Sequence, residues 1–235
     1  MDNPFWKELS KQLRPYLRKS SRVKRNMIRT LYGFNDKFEP PKKPITPLEE
    51  YLGTLLFNYG ELDESLKRFK IISVLIQQYP RLKSWDRVGL NKTVYLRYHY
   101  ETFLNETYIY RERMCLFLNV LKKRCRKISL SDEAHYVEDV LQGFLKSLED
   151  VTNIRGRHVH VRRYSNSKME QLMGLEMVLE FSEDLEKLRD KEYRDLRTKL
   201  GNEVEKFGAD LENLQNLTLS KVLKVALSDL KDKYK

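Results

Sequence analysis

The residues that break helices are confined to a few places in this chain of 235 residues. Four of its seven prolines fall between Pro40 and Pro47, and only nine glycines are spread over the whole chain. Because proline and glycine are the strongest breakers of regular structure, long stretches without them suit helices better than a many-stranded sheet. A charged fraction of 34% favours amphipathic helices with solvated faces. The sequence therefore predicts an all-α protein.

Apolar residues recur at helical spacing along most of the chain and predict a set of long helices. The predicted ranges are about 5–31, 48–78, 91–126, a helix starting at Ser131, 168–215 and 218–233. Pro15 is expected to kink the first helix or to start a second one. An unbroken helix over 168–215 would run about 70 Å, so a break near Gly201 or Gly208 is expected. Its first half is apolar on most sides, which predicts burial by its neighbours.

Composition divides the chain into three parts. Residues 1–47 form a basic N-terminal helical arm and a proline-rich linker, residues 48–190 a helical bundle, and residues 191–235 C-terminal amphipathic helices. The first part contains twelve Lys/Arg and four Asp/Glu in a chain of net charge +11. Such a positive field attracts polyanions, with nucleic acid the first candidate and anionic lipid the second. A packing helix with a charged outer face is the alternative for the arm, slightly favoured.

Cysteine spacing and hydropathy predict a cytoplasmic protein. Cys115 and Cys125 are ten residues apart in one predicted helix, about 15 Å along its axis. A disulfide requires Cα atoms within about 7 Å, so reduced thiols are expected. No run approaches the roughly 20 apolar residues that span a bilayer, and the N-terminus lacks an apolar signal core. We therefore expect no transmembrane segment.

The one compact chemical signal lies between residues 151 and 168. This segment contains two of the four histidines, five cations and no Asp or Glu; its ionisable residues are Arg155, Arg157, His158, His160, Arg162, Arg163 and Lys168. Clustered Arg and Lys suit a phosphate or another anion. Nearby like charge disfavours imidazolium, and a neutral imidazole near pH 7 can act as a general base.

Two other interpretations of this segment are open. A metal site at His158 and His160 is disfavoured, because no third ligand is nearby and the arginines repel a divalent cation. The segment can also be a solvated basic turn that binds nothing.

Four aromatic residues of the predicted 91–126 helix could stack nucleic-acid bases, but helical spacing favours the core; they are Tyr95, Tyr98, Phe103 and Tyr108. His99 and His135 are expected to be structural or surface residues.

Arg155 and His160, with four residues between them at a junction between two predicted helices, resemble the hallmark motif of the HEPN superfamily. The run Tyr108-Ile109-Tyr110-Arg111-Glu112-Arg113, ahead of Phe117-Leu118, also resembles the second helix of some bacterial HEPN proteins. The resemblance covers residues 60–190. It implies a HEPN-like helical bundle, often dimeric, and in many members a ribonuclease that needs no metal or other cofactor.

The resemblance also implies roles for individual residues. His160 would deprotonate the ribose 2′-hydroxyl or protonate the leaving oxygen, and Arg155 would stabilise the charge that develops on phosphorus. Two copies would assemble one cleft in a homodimer. Charge alone suggests further RNA contacts at Arg157, His158, Arg162 and Arg163. Gly156 departs from the family pattern, because active members usually carry a polar residue there.

The implied function is a metal-independent endoribonuclease or RNA-binding protein, such as a toxin or defence effector. A toxin would have a cognate antitoxin, which this sequence does not identify. The alternative is a non-catalytic helical protein that mediates dimerisation or another interaction.

Overall fold

The computed structural model describes residues 3–19, 46–79, 90–150, 167–178 and 183–228. These ranges contain no β-strand, and their six helices are α1 (Pro4–Lys19), α2 (Pro47–Gln77), α3 (Lys92–Lys127), α4 (Ser131–Ser147), α5 (Ser167–Val178) and α6 (Glu183–Leu227). The predicted all-α class is confirmed. The helices predicted over 48–78 and 91–126 match α2 and α3 to within a residue at each end.

The helices pack into two compact units. Unit 1 consists of Met1–Asp63, Glu112–Lys146 and Asn213–Lys235, and unit 2 of Glu64–Arg111 and Ser147–Glu212. Because their ranges cross these boundaries, α2, α3 and α6 each contribute one segment to each unit. The three-part organisation predicted along the chain stays a prediction.

In unit 1 the N-terminal helix α1 buries one face. Phe5, Leu9 and Leu13, spaced by four residues, are all buried. The Phe5 ring packs against Tyr59 and Phe117, with ring centroids 5.9 and 5.5 Å apart. Residues 5–13 therefore form a packing helix with an apolar inner face, one of the two interpretations predicted for the basic arm.

Pro15 does not start a second helix, because α1 continues through it to Lys19. A proline inside a helix removes one backbone hydrogen bond, to the carbonyl four residues earlier. Here that carbonyl belongs to Lys11, and both Lys11 and Pro15 are exposed, so water can solvate it.

Arg124 joins the C-terminal ends of α3 and α6 in unit 1. Its Nη1 donates to the Ala226 carbonyl at 2.9 Å and to the Val225 carbonyl at 3.3 Å. The last four carbonyls of a helix have no partner within that helix, so a basic side chain stabilises them. Nη1 also donates to the Tyr51 hydroxyl at 2.9 Å. The neighbouring Cys125 is buried, and neither it nor Cys115 forms a disulfide, as their spacing predicted.

The core of unit 2 is centred on Phe69. This side chain is fully buried, and its ring meets those of Phe103, Tyr110 and Phe207 at centroid distances of 6.0, 6.5 and 5.7 Å. All three contacts are edge-on, the geometry that aromatic quadrupoles prefer. Phe69 therefore ties α2 to both α3 and α6.

α6 runs without interruption for 45 residues, about 67 Å. The break predicted near Gly201 or Gly208, and the separate helix predicted from residue 218, are therefore wrong. A Cβ added at Gly201 would lie 2.5 Å from Cγ of Gln77, and one at Gly208 would lie 3.3 Å from Cβ of Phe69. The two glycines let α6 approach α2 closely, and neither ends the helix.

Asn91 caps the N-terminus of α3. Its Oδ1 accepts a hydrogen bond from the Val94 backbone N–H at 2.8 Å. We expect Asn91→Ala to lower the free energy of unfolding by about 1 kcal/mol, because one helical N–H loses its partner. Urea denaturation would measure the change. Asn91→Asp should keep the cap, so an equal loss in both variants would contradict this role.

No helix in the described part of the chain combines the length and apolar character needed to cross a bilayer.

Candidate functional site

The residues predicted to form the site all fall in the segment between α4 and α5. Arg155 and His160, together with the predicted phosphate contacts Arg157, His158, Arg162 and Arg163, lie within 151–166, outside the described residues. The structure does describe both flanks, since α4 ends at Ser147 and α5 begins at Ser167. The segment thus joins two helices, and the geometry of its side chains stays a prediction.

α5 follows this segment directly, and polar contacts hold it in unit 2. Lys168 in its first turn donates to the Glu192 carboxylate at 3.2 Å. Further along, the Glu176 carboxylate accepts hydrogen bonds from Thr93 Oγ1 at 2.8 Å and from Arg189 Nη1 at 3.4 Å. One carboxylate therefore ties α5 to both α3 and α6. These contacts fix the point at which the 151–166 segment ends.

Most apolar side chains of α5 are not buried, contrary to the sequence prediction. Only Met169 and Leu172 are buried. Met173, Met177 and Val178 are exposed, and 80% of Met177 is accessible to solvent. The prediction that neighbours bury this helix on most sides is wrong for its described residues. Polar contacts take the place of a second apolar interface, so an apolar face stays in contact with solvent.

Asp190 joins α3 and α6 near the start of α3. Its Oδ1 lies 3.2 Å from Lys92 Nζ and 2.7 Å from Arg189 Nε. Burial alone would raise the pKa of Asp190, but the Lys92 hydrogen bond and the Arg189 charge outweigh it and lower the pKa. The carboxylate therefore stays ionised, and it neutralises cations that would otherwise be available to an anionic ligand.

His99 lies on α3 in unit 2, as do the residues of α3 in these contacts. Its ring lies edge-on to Tyr95 and Tyr98, at centroid distances of 4.3 and 5.4 Å. Burial lowers the pKa of His99, so its imidazole is neutral at pH 7. A neutral imidazole can accept a proton, but the ring contacts of His99 are with aromatic side chains. The arrangement supports the structural role predicted for His99.

The aromatic residues of α3 divide between core and surface. Tyr95 and Phe103 are buried, as predicted, whereas Tyr98 is 63% exposed and does not belong to the core. Tyr95 also meets Tyr79 edge-on at 5.3 Å. Burial raises the pKa of the nearby Tyr193 to about 12, so this phenol stays protonated.

Sequence reasoning missed the contacts of Thr93, Glu176 and Arg189. Glu176 is separated from Thr93 by 83 residues and from Arg189 by 13, and the three residues lie on different helices. No spacing pattern in the sequence predicts such a contact.

In the described part of the chain, no three His, Cys, Asp or Glu side chains come together as metal ligands would.

No family model, curated protein or solved structure matches this chain.

Proposed function

We propose that this chain is a HEPN-type ribonuclease or RNA-binding protein that works without a metal, of the kind found among toxins and defence effectors. The observation that carries the proposal is the acid-free segment 151–168. It holds four arginines and two histidines between α4 and α5 of an all-α chain, and Lys168 follows in the first turn of α5. Arg clusters without acids favour phosphate over any cationic ligand.

The proposed reaction needs only protein side chains. His160 takes the proton of a ribose 2′-hydroxyl, and that oxygen attacks the adjacent phosphorus. The bond from phosphorus to the 5′-oxygen breaks, and the leaving oxygen receives a proton from an imidazolium or from water. The products are a 2′,3′-cyclic phosphate and a 5′-hydroxyl. Arg155 stabilises the charge on phosphorus in the transition state; neighbouring phosphates are held by Arg157, His158, Arg162 and Arg163.

The direct test is incubation of purified protein with RNA in the presence of EDTA. We expect cleavage that leaves cyclic phosphate ends and that the chelator does not reduce. Gly156, which follows Arg155 where active members of the family usually carry a polar residue, favours the alternative of a non-catalytic interaction protein. A protein that neither cleaves nor binds RNA would establish that alternative.

A second copy of the chain is the proposed partner, and the exposed apolar face of α5 supports it. Met173, Met177 and Val178 are its exposed apolar side chains. On α3, Val94 and Tyr98 are also exposed. Val94 follows Thr93 and Tyr98 follows Arg97, and both Thr93 and Arg97 contact α5. Apolar surface of this kind marks interaction sites. A two-fold pairing through α5 would bring two 151–166 segments into one assembly.

We expect Met177→Glu to weaken the dimer at least tenfold, because a carboxylate would be buried in an apolar contact without a partner. Light scattering over a concentration series would measure the shift. Leu116→Glu is the control, since Leu116 is an exposed apolar residue of α3 in unit 1. A wild-type protein that stays monomeric at high micromolar concentration would exclude the dimer.

A further inference from the structure

Two helical segments of unit 1 carry cations and no acid. Residues 113–131 contain six Lys/Arg, residues 213–228 contain two, and neither stretch contains Asp or Glu. The contact of Arg124 with the Val225 and Ala226 carbonyls, at 3.3 and 2.9 Å, makes the C-terminal ends of α3 and α6 adjacent. The two stretches thus lie side by side within one unit.

Four lysines at these helix ends form what we term the lysine surface: Lys123, Lys127, Lys221 and Lys224. All four are exposed, and within the described ranges no ion pair joins any of them to a carboxylate. Their neighbours differ in this respect, because Lys122 pairs with Glu138 and Arg113 with Glu61. The four cations of the lysine surface are therefore available to an anionic ligand.

The acids of α4 limit this charge but do not remove it. Asp132 and Glu133 lie in the first turn of α4, where they interact favourably with the positive end of their own helix. The hydrogen bond from Lys122 lowers the pKa of Glu138, which ties this carboxylate to Lys122. Asp139 is exposed on the same helix.

Tyr136 places an aromatic ring beside the lysine surface. Its hydroxyl donates to the Lys221 carbonyl at 3.3 Å, which holds the ring against α6. The side chain is nevertheless 44% exposed. Cations that follow a backbone, together with an accessible aromatic ring, are the combination that single-stranded nucleic acids require.

We infer that the lysine surface binds phosphates of single-stranded RNA while Tyr136 stacks on one of its bases. The inference rests on the proposed function and adds an RNA contact separate from the 151–168 segment. A lipid surface fits less well, since it would need a continuous apolar face among the cations. The large exposed apolar side chains described in unit 1 are only three, Leu116, Tyr136 and Leu217.

The first test replaces all four lysines by glutamine, in a His160→Ala background that prevents cleavage. Fluorescence anisotropy with a labelled single-stranded oligouridylate would give affinity as a function of salt. Each lost phosphate contact should lower the slope of log affinity against log salt by about 0.7, so four contacts should lower it by about 3. The control removes equal charge from α6 in unit 2, where the exposed lysines are Lys187, Lys191, Lys199 and Lys206.

The second test separates stacking from charge. Tyr136→Ala should reduce affinity for the oligouridylate about fivefold or more with an unchanged salt slope, because a stacked base contributes without releasing counterions. Tyr136→Phe should bind like the parent, since it keeps the ring.

The outcomes distinguish this inference from the proposed function. If the parent binds RNA and the four-lysine variant keeps the full slope, the lysine surface is not an RNA contact, and the proposed function stands. If the variant loses only binding to phosphatidylserine vesicles, the surface is a lipid contact and the inference is wrong. If no form binds RNA, both proposals fail.

Discussion

His160→Ala should lower the rate of RNA cleavage by about 10²–10⁴ while the protein stays folded, since that is the usual contribution of one general acid or base. The residue stands in a segment rich in cations and free of acids, which favours phosphoryl chemistry without a metal. Cleavage of a labelled RNA would be measured alongside circular dichroism of both proteins. An unchanged rate in the variant would remove His160 from the mechanism.

Replacement of Arg155 tests the other half of the motif. Arg155→Ala should cost a factor similar to that of His160→Ala, and Arg155→Lys should restore only part of the rate. Lysine keeps the charge but lacks the two-pronged geometry of a guanidinium. His158→Ala is the internal control and should have a smaller effect. A larger effect at His158 than at His160 would indicate that the motif consists of Arg155 and His158, at a shorter spacing.

Phe69→Ala should lower the free energy of unfolding by about 3–5 kcal/mol, the range for truncation of a buried phenylalanine. The cavity would lie between three helices, because the Phe69 ring contacts Phe103, Tyr110 and Phe207. The close approach of Gly208 to Phe69 should remain. A Cβ added at Gly208 would lie 3.3 Å from Cβ of Phe69, and alanine keeps that Cβ. Urea denaturation monitored by circular dichroism would measure the loss.

Ile71→Ala is the matched control for this truncation. Ile71 lies two residues further along α2 but is 56% exposed. Its replacement should change the free energy of unfolding by no more than about 0.5 kcal/mol. Equal losses at Phe69 and Ile71 would contradict the aromatic core as the source of the effect.

The helices were predictable because their signals are local. Phe5, Leu9 and Leu13 repeat every four residues and are buried together on α1. Asn91 precedes an apolar run and caps α3. Each pattern lies within a few residues of the chain, so no knowledge of distant neighbours is required.

Gly201, Gly208 and α5 show where local reasoning fails. A glycine usually favours a helix break, but the effect of these two depends on Gln77 and Phe69, more than a hundred residues away. α5 has the composition of a buried helix, yet its contacts through Lys168 and Glu176 are mainly polar. In each case tertiary packing overrides a rule that holds on average.

The candidate site was predictable as chemistry and not as geometry. Cations, histidines and the absence of acids in 151–168 can be counted from the sequence, whereas distances between side chains cannot. The lysine surface had a comparable signal in the acid-free stretches 113–131 and 213–228. What the sequence did not reveal is that Arg124 brings the ends of these stretches together.

The assembly of unit 1 from three separate stretches of chain constrains its synthesis. Asn3 Nδ2 donates to Asn216 Oδ1, 213 residues away, at 2.6 Å, and Tyr51 donates to the carbonyl of Ala226, 175 residues away. A ribosome must therefore release the chain at least as far as Ala226 before this unit can close, and Asn3 and Tyr51 wait without these partners until then. A product that stops before Asn216 would leave Asn3 and Tyr51 without these partners, so quality control by chaperones and proteases would fall on such truncated copies.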